Sequence, residues 1–212
     1  MRIKVKEAKS LKMILRKKYK GDTMARQVLR FTGVGGQGVL LAGEIFASAK
    51  INLGGFGVKT ATYTSQVRGG PTVVDIQLDD EEIWYPHAVD GEVDFMLSVA
   101  DASYQLFKGG VRDGATIVIE PNLVYPSDED RKRWNIVEIP IITIAKEEVK
   151  LVLTQSVVAL AIANTYMHAI DDETLKATML SAVPERFHKP NILAYDLGKK
   201  YALEAITAAE MA

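Results

Sequence analysis

Cysteine is absent from the 212 residues. That excludes disulfides, a thiol nucleophile and any iron–sulfur cluster held by this chain's own thiolates. Long apolar runs are also missing, so nothing in the chain reads as a membrane span, and the N-terminus lacks the apolar core of a secretory signal. Net charge is scarce at −1, which gives no general attraction to nucleic acid or anionic lipid. The expectation is a cytoplasmic protein with neither a nucleic-acid nor a membrane partner. Histidine is limited to His87, His168 and His188, with no metal-ligand spacing, so each reads as an ordinary histidine and no metal site is expected. There is no Walker-type loop. There is no Gly-Asp-Gly followed at about 30 residues by Asn, and no Ser/His/Asp arrangement, so no residue is singled out as catalytic.

Apolar residues, at 48%, are plentiful enough for a substantial core, and the length fits one domain with an extension. Charge is unevenly distributed. Residues 1–20 carry Arg2, Lys4, Lys6, Lys9, Lys12, Arg16, Lys17, Lys18 and Lys20 against Glu7 alone. Residues 1–23 therefore read as a basic N-terminal extension, either an arm that docks on an acidic partner surface or a solvated segment. Met24 directly precedes the organised part and is itself a candidate first residue. The domain is placed at 24–212.

Within it, Val28–Thr32 reads as a strand, a glycine loop follows, and Leu41, Ile45 and Ala49 mark a helix over Val39–Lys50. Further strands are expected over 60–65, Thr72–Leu78, Glu92–Ala100, Ala115–Glu120 and Asn135–Ile142. Helices are expected after Asp101 as N-cap, over Ser127–Trp134, over Leu151–Ala169, after Asp171, and from about Asn191 to Ala208. Alternating strands and helices imply an α/β fold, a mostly parallel, Rossmann-like sheet flanked by helices.

The clearest motif is Gly33-Val34-Gly35-Gly36-Gln37-Gly38, a G-x-G-x-x-G between strand and helix. Glycines let the backbone approach a ligand, and the helix N-terminus offers amides and partial positive charge to an anion. The same glycines also permit close helix–strand packing. A dinucleotide site would need an acid some 20 residues later for the ribose hydroxyls. Between Glu44 and Asp75 there is none; that window carries Lys50, Lys59 and Arg68 instead. NAD and FAD are thereby disfavoured, while NADP and coenzyme A stay open. Gln66-Val67-Arg68-Gly69-Gly70-Pro71 displays an arginine in a glycine turn, fit either for an anion contact or for an ordinary surface or interface position. Asp79–Glu82 reads as a solvated acidic turn, and Trp84-Tyr85 as an interface anchor or a local packing cluster.

Gly33–Gly43 (GVGGQGVLLAG), followed about 30 residues later by Val67-Arg68-Gly69-Gly70, resembles the γ subunit of 2-oxoacid:ferredoxin (acceptor) oxidoreductases. The resemblance continues through Asp94-Phe95-Met96-Leu97-Ser98 and Val118-Ile119-Glu120-Pro121-Asn122, covering about Arg26 to Tyr201. Ala42-Gly43-Glu44-Ile45, Gly55-Phe56-Gly57 and Ile141–Ala145 look most like the 2-oxoglutarate branch. The basic extension departs from the family pattern. The resemblance implies a complex that converts a 2-oxoacid and coenzyme A to acyl-CoA and CO2, reducing ferredoxin or flavodoxin. It implies α, β and δ-type partner subunits, with thiamine diphosphate, Mg and 4Fe-4S clusters held there. For this chain it implies a share in the coenzyme A site through Gly33, Gly35, Gly36, Gln37, Gly38, Arg68, Gly69 and Gly70. Two other readings remain: a non-catalytic assembly subunit, and a free-standing NADP-binding protein.

Overall fold

The computed structural model describes residues 26–35, 38–62 and 69–211. Six strands form one sheet: β1 (Gln27–Val34), β2 (Phe56–Thr62), β3 (Pro71–Asp79), β4 (Val93–Ser98), β5 (Val111–Ile119) and β6 (Asn135–Glu138). Their spatial order is β2-β3-β1-β4-β5-β6. Strands β1, β4, β5 and β6 are mutually parallel, as expected. Strand β3 is antiparallel to both β1 and β2. The described helices are α1 (Val39–Asn52), α2 (Asp101–Phe107), α3 (Asp128–Arg133), α4 (Ile141–Thr143), α5 (Gln155–Met167), α6 (Asp172–Ala182) and α7 (His188–Glu210). None of them is long and apolar enough to cross a membrane.

The central strands are apolar on both faces because both faces are covered. Leu29, Phe31, Phe95, Leu97 and Val118 pack with α1 and α5 in the larger core. Val28, Met96, Ile117 and Ile119 join Tyr104 and Trp134 in the smaller one. Helix α5 is mostly apolar around its circumference, and every residue from Ser156 to Thr165 is buried. It therefore lies between sheet and α7 instead of showing one face to water.

Three element boundaries differ from expectation for identifiable reasons. Strand β6 stops at Glu138: Pro140 has no N–H for a ladder, and Ile141 starts a helical turn that runs into a π-helical turn, Ile144–Glu148. Asp101 is the first residue of α2, with Ala100 in the N-cap position. Its carboxylate instead accepts from Tyr125 N (3.0 Å) and Gln105 Nε2 (3.3 Å). Helix α7 begins at His188, because Pro190 in a first turn forfeits no hydrogen bond. The strand expected over 60–65 is observed as Phe56–Thr62; residues 63–65 and the 1–23 extension lie outside the described residues.

The β1–β3 pairing is pinned by a buried ion pair. Arg30 and Asp75 are direct cross-strand partners, with Nε–Oδ1 2.7 Å and Nη2–Oδ2 2.9 Å, and Arg30 Nη1 also donates to Phe107 O (2.8 Å). Asp75→Ala leaves a buried guanidinium uncompensated and is expected to cost about 3–5 kcal/mol, measured by urea unfolding, whereas joint Arg30→Met and Asp75→Leu should be close to neutral.

Two other carboxylates make stability pH-dependent. Burial pushes the Asp130 carboxyl up, but Lys108 (2.7 Å) and the capping box with Ser127 outweigh burial and hold it below its ordinary value. Asp172 is likewise pushed up by burial and held down overall by Lys199 and by Tyr195 Oη at 2.6 Å. Both pKa values are depressed in the folded state. Their contributions are thus complete above the unfolded value of about 3.9 and are lost as pH falls through the lowered values. Unfolding free energy should therefore decline below about pH 4, and Asp130→Asn and Asp172→Asn should each flatten that decline while lowering stability at neutral pH.

Candidate functional site at the glycine loop

Strand β1 ends where the glycine loop begins. The loop is held from the adjoining elements: Gly33 O accepts from Ser103 Oγ on α2, and Thr32 O accepts from Val99 N (3.0 Å) after β4. Because β3 runs antiparallel, its start meets the end of β1, with Gly33 opposite Thr72 and Val34 opposite Pro71. The described end of the second glycine motif, Gly69 to Pro71, is thereby brought to the end of β1. Gly35 N donates to Gly70 O at 3.2 Å, and Thr72 Oγ1 donates to the same oxygen at 3.3 Å. The Gly35 amide joins the two motifs and is engaged within the chain. Gly36, Gln37 and Arg68 lie outside the described residues.

Gly38 occupies the N-cap of α1 with φ +76°, a left-handed conformation disfavoured for side-chain-bearing residues. A Cβ there would also stand 3.0 Å from Ser156 Cβ. The N-terminal turns of α1 and α5 therefore abut at this glycine. Neither has a side-chain cap or an acid in its first turn. Two helix N-terminal turns thus lie close together here, and helix N-termini favour anions.

The two described bases of the acid-free window are each paired with an acid. Lys50 is in the last turn of α1, buried, and paired with Asp80 at 2.7 Å. Lys59, on β2, pairs with Glu44. Both have intrachain partners, which leaves Arg68 as the base adjoining the glycine turn in sequence.

Glu120 received no role from the residue pattern. It ends the apolar run of β5, and only 1% of it is exposed. Its Oε1 accepts from Asn122 Nδ2 (2.9 Å), and its Oε2 accepts from Ile142 N (2.8 Å). This carboxylate clamps the loop after β5 to the first turn of α4, on the same rim of carboxyl strand ends. An acid closing an apolar strand just before Pro-Asn was the available signal.

A family model described as pyruvate ferredoxin/flavodoxin oxidoreductase matches residues 28–201. The chain belongs to this family. Among curated relatives, the 2-oxoglutarate synthase subunit KorC of Methanocaldococcus jannaschii is 27% identical over 84% of this chain and 95% of its own length. The KorC subunit of Archaeoglobus fulgidus is 39% identical over 45% of this chain and 50% of its own. Among solved structures, the γ subunit of keto/oxoacid ferredoxin oxidoreductase from Geobacter sulfurreducens superposes with TM-score 0.76 at 27% identity, covering 86% of this chain and 99% of that one. The 2-oxoglutarate:ferredoxin oxidoreductase of Magnetococcus marinus, a structure with 2-oxoglutarate, coenzyme A and succinyl-CoA bound, shares the fold with TM-score 0.74 at 20% identity. That likeness covers 85% of this chain and 32% of the other. The γ-subunit resemblance and the α/β fold read from the sequence are both borne out, and the family is one of oxidoreductases.

Since Gly38 is both left-handed and in contact, Gly38→Ala is expected to lower stability by about 1–2 kcal/mol from backbone strain alone. Thermal unfolding of the variant measures it. A shift in the opposite direction would mean that this turn is not held as described.

Proposed function

We propose that the chain is the γ subunit of a 2-oxoglutarate:ferredoxin oxidoreductase, and that it contributes the glycine loop to the coenzyme A site of that complex. The N-terminal turns of α1 and α5 meeting at Gly38, neither with a side-chain cap, together with Gly70 tied to Gly35 and Arg68 two residues before Gly70 in sequence, support the coenzyme A reading. Coenzyme A is a flexible polyanion. Helix ends and an arginine hold phosphates, and glycines let the backbone come close. The 2-oxoglutarate reading rests on the curated KorC relatives.

In this proposal the chain's role is positioning. When bound in the complex, coenzyme A supplies the thiol that takes up the acyl group. The glycine loop and Arg68 would fix its phosphates so that the thiol reaches the partner's active site, and fixed geometry lowers the barrier without any bond-breaking group here. Thiamine diphosphate, Mg and 4Fe-4S clusters would belong to α, β and δ-type partners; this cysteine-free chain cannot ligate a cluster by thiolate. Ferredoxin or flavodoxin would accept the electrons from the complex. The free-standing NADP reading is weakened by topology. The dinucleotide fold puts a parallel second strand next to the first, with its carboxyl end at the ribose. Here β3 is antiparallel in that place.

The test is anaerobic purification of the tagged chain with its partners and assay of viologen reduction that requires coenzyme A. Activity should be highest with 2-oxoglutarate when pyruvate and indolepyruvate are compared. Arg68→Ala should raise the coenzyme A KM about 10- to 100-fold, the loss of a hydrogen bond to a charged group, with the complex still assembled. Gly36→Asp should act in the same direction. An unchanged KM in both variants would leave only the assembly role, and a chain that purifies without partners would overturn the proposal.

A further inference from the structure

The segment between β3 and β4 is acidic and aromatic. Residues 79–92 carry Asp79, Asp80, Glu81, Glu82, Asp90 and Glu92 with no Lys or Arg. Glu81, Glu82 and Glu92 make no ion pair among the described residues. In their midst Trp84 is 85% exposed and Tyr85 58% exposed, with Tyr85 edge-on to His87 and Trp84 largely uncovered. Large aromatics held out beside unpaired carboxylates form a surface that wants a basic, partly apolar occupant.

The location narrows the occupant. Gln27 at the start of β1 pairs with Leu78, so Arg26 stands beside the end of β3 where this segment begins, and Arg26 Nη2 donates to Gln77. The chain therefore enters the domain at the foot of the acidic segment, at the end of the sheet opposite the glycine loop. What precedes Arg26 is the basic stretch, with nine Lys or Arg against one acid over residues 1–20 and with Leu11, Ile14 and Leu15 among them. Lys12 to Lys20 are at most 14 residues from Arg26, a contour of up to about 50 Å, which is ample reach.

We propose that residues 1–23 dock on segment 79–92 of their own chain, with Lys12, Arg16, Lys17, Lys18 and Lys20 meeting Glu81, Glu82 and Glu92 and with Trp84 covered. Attraction of this kind brings the two together at low salt and weakens as screening shortens the Debye length from about 10 Å at 0.1 M to about 3 Å at 1 M. The extension then serves to shield an aromatic surface at the pole remote from the glycine loop.

A zero-length carbodiimide, which couples amines to carboxylates in contact, tests this on the native complex at low salt. Peptides linking Lys12, Lys17, Lys18 or Lys20 to Glu81, Glu82 or Glu92 are expected, and they should disappear at about 1 M salt. Coupling of these carboxylates solely to lysines of another subunit, or to the extension of a second copy in an isotopically mixed sample, would overturn the proposal. So would a native chain whose mass starts at Met24. A second measurement uses the isolated full chain. Its other tryptophan, Trp134, is 4% exposed, so Trp84 dominates quenching by neutral acrylamide. The combined Arg16→Glu, Lys17→Glu and Lys18→Glu variant should raise that quenching about two- to threefold, as a covered indole becomes wetted. Equal quenching in variant and parent would overturn the proposal.

Discussion

The antiparallel pairing of β1 with β3 is the constraint on which the candidate site depends. It sets Gly33 against Thr72, which brings Gly70 to Gly35 and joins two glycine motifs separated by about 30 residues of chain. Were β3 parallel, its first residues would lie at the other end of the sheet, a strand length away, and Gly70 could not meet Gly35. The buried Arg30–Asp75 pair makes this register costly to change. A slip by one residue would carry both charges away from their partner.

Around that pairing the parallel half of the sheet supplies the rim. Strands β1, β4 and β5 end together, and each end is tied to the next: Thr32 O by Val99 N, Ser98 O by Glu120 N, and Ile119 O by Ile139 N. Glu120 extends the rim to α4 through a buried carboxylate that finds its partners in backbone and amide N–H groups. The N-terminal turns of α1 and α5 lie close together at Gly38, where a Cβ would crowd Ser156. Preorganisation of this sort suits a positioning role, since holding a flexible ligand depends on groups that do not themselves need to move.

The two poles of the molecule carry opposite chemistry. The carboxyl ends of the parallel strands gather glycines and helix N-termini. The amino ends carry the carboxylates of segment 79–92 and two exposed aromatics, next to the point where the chain enters the fold. The even overall charge of −1 conceals this separation.

Much of this was legible in the residues. The continuous apolar run of β5 announced a strand of the parallel-sheet kind, the mostly apolar 151–169 stretch announced a long helix, and Ser127 and Asp171 announced helix starts that carry side-chain caps. The missing acid between Glu44 and Asp75 disfavoured NAD before any strand was placed, and cysteine's absence excluded thiolate chemistry outright. These are local or compositional properties, and sequence states them directly. The direction of β3, the pairing of Lys50 and Lys59 with acids, and the burial of Glu120 are not local. Strand direction follows from how the whole sheet closes, and a lysine's partner is set by which surface folds against it. Glu120 reads as one more polar residue until Asn122 and Ile142 are brought to its carboxylate. The sequence by itself thus determined the class of fold and the presence of a glycine loop suited to an anion. Tertiary structure decided that Gly70 meets Gly35, because only an antiparallel strand returns the chain to the end of β1.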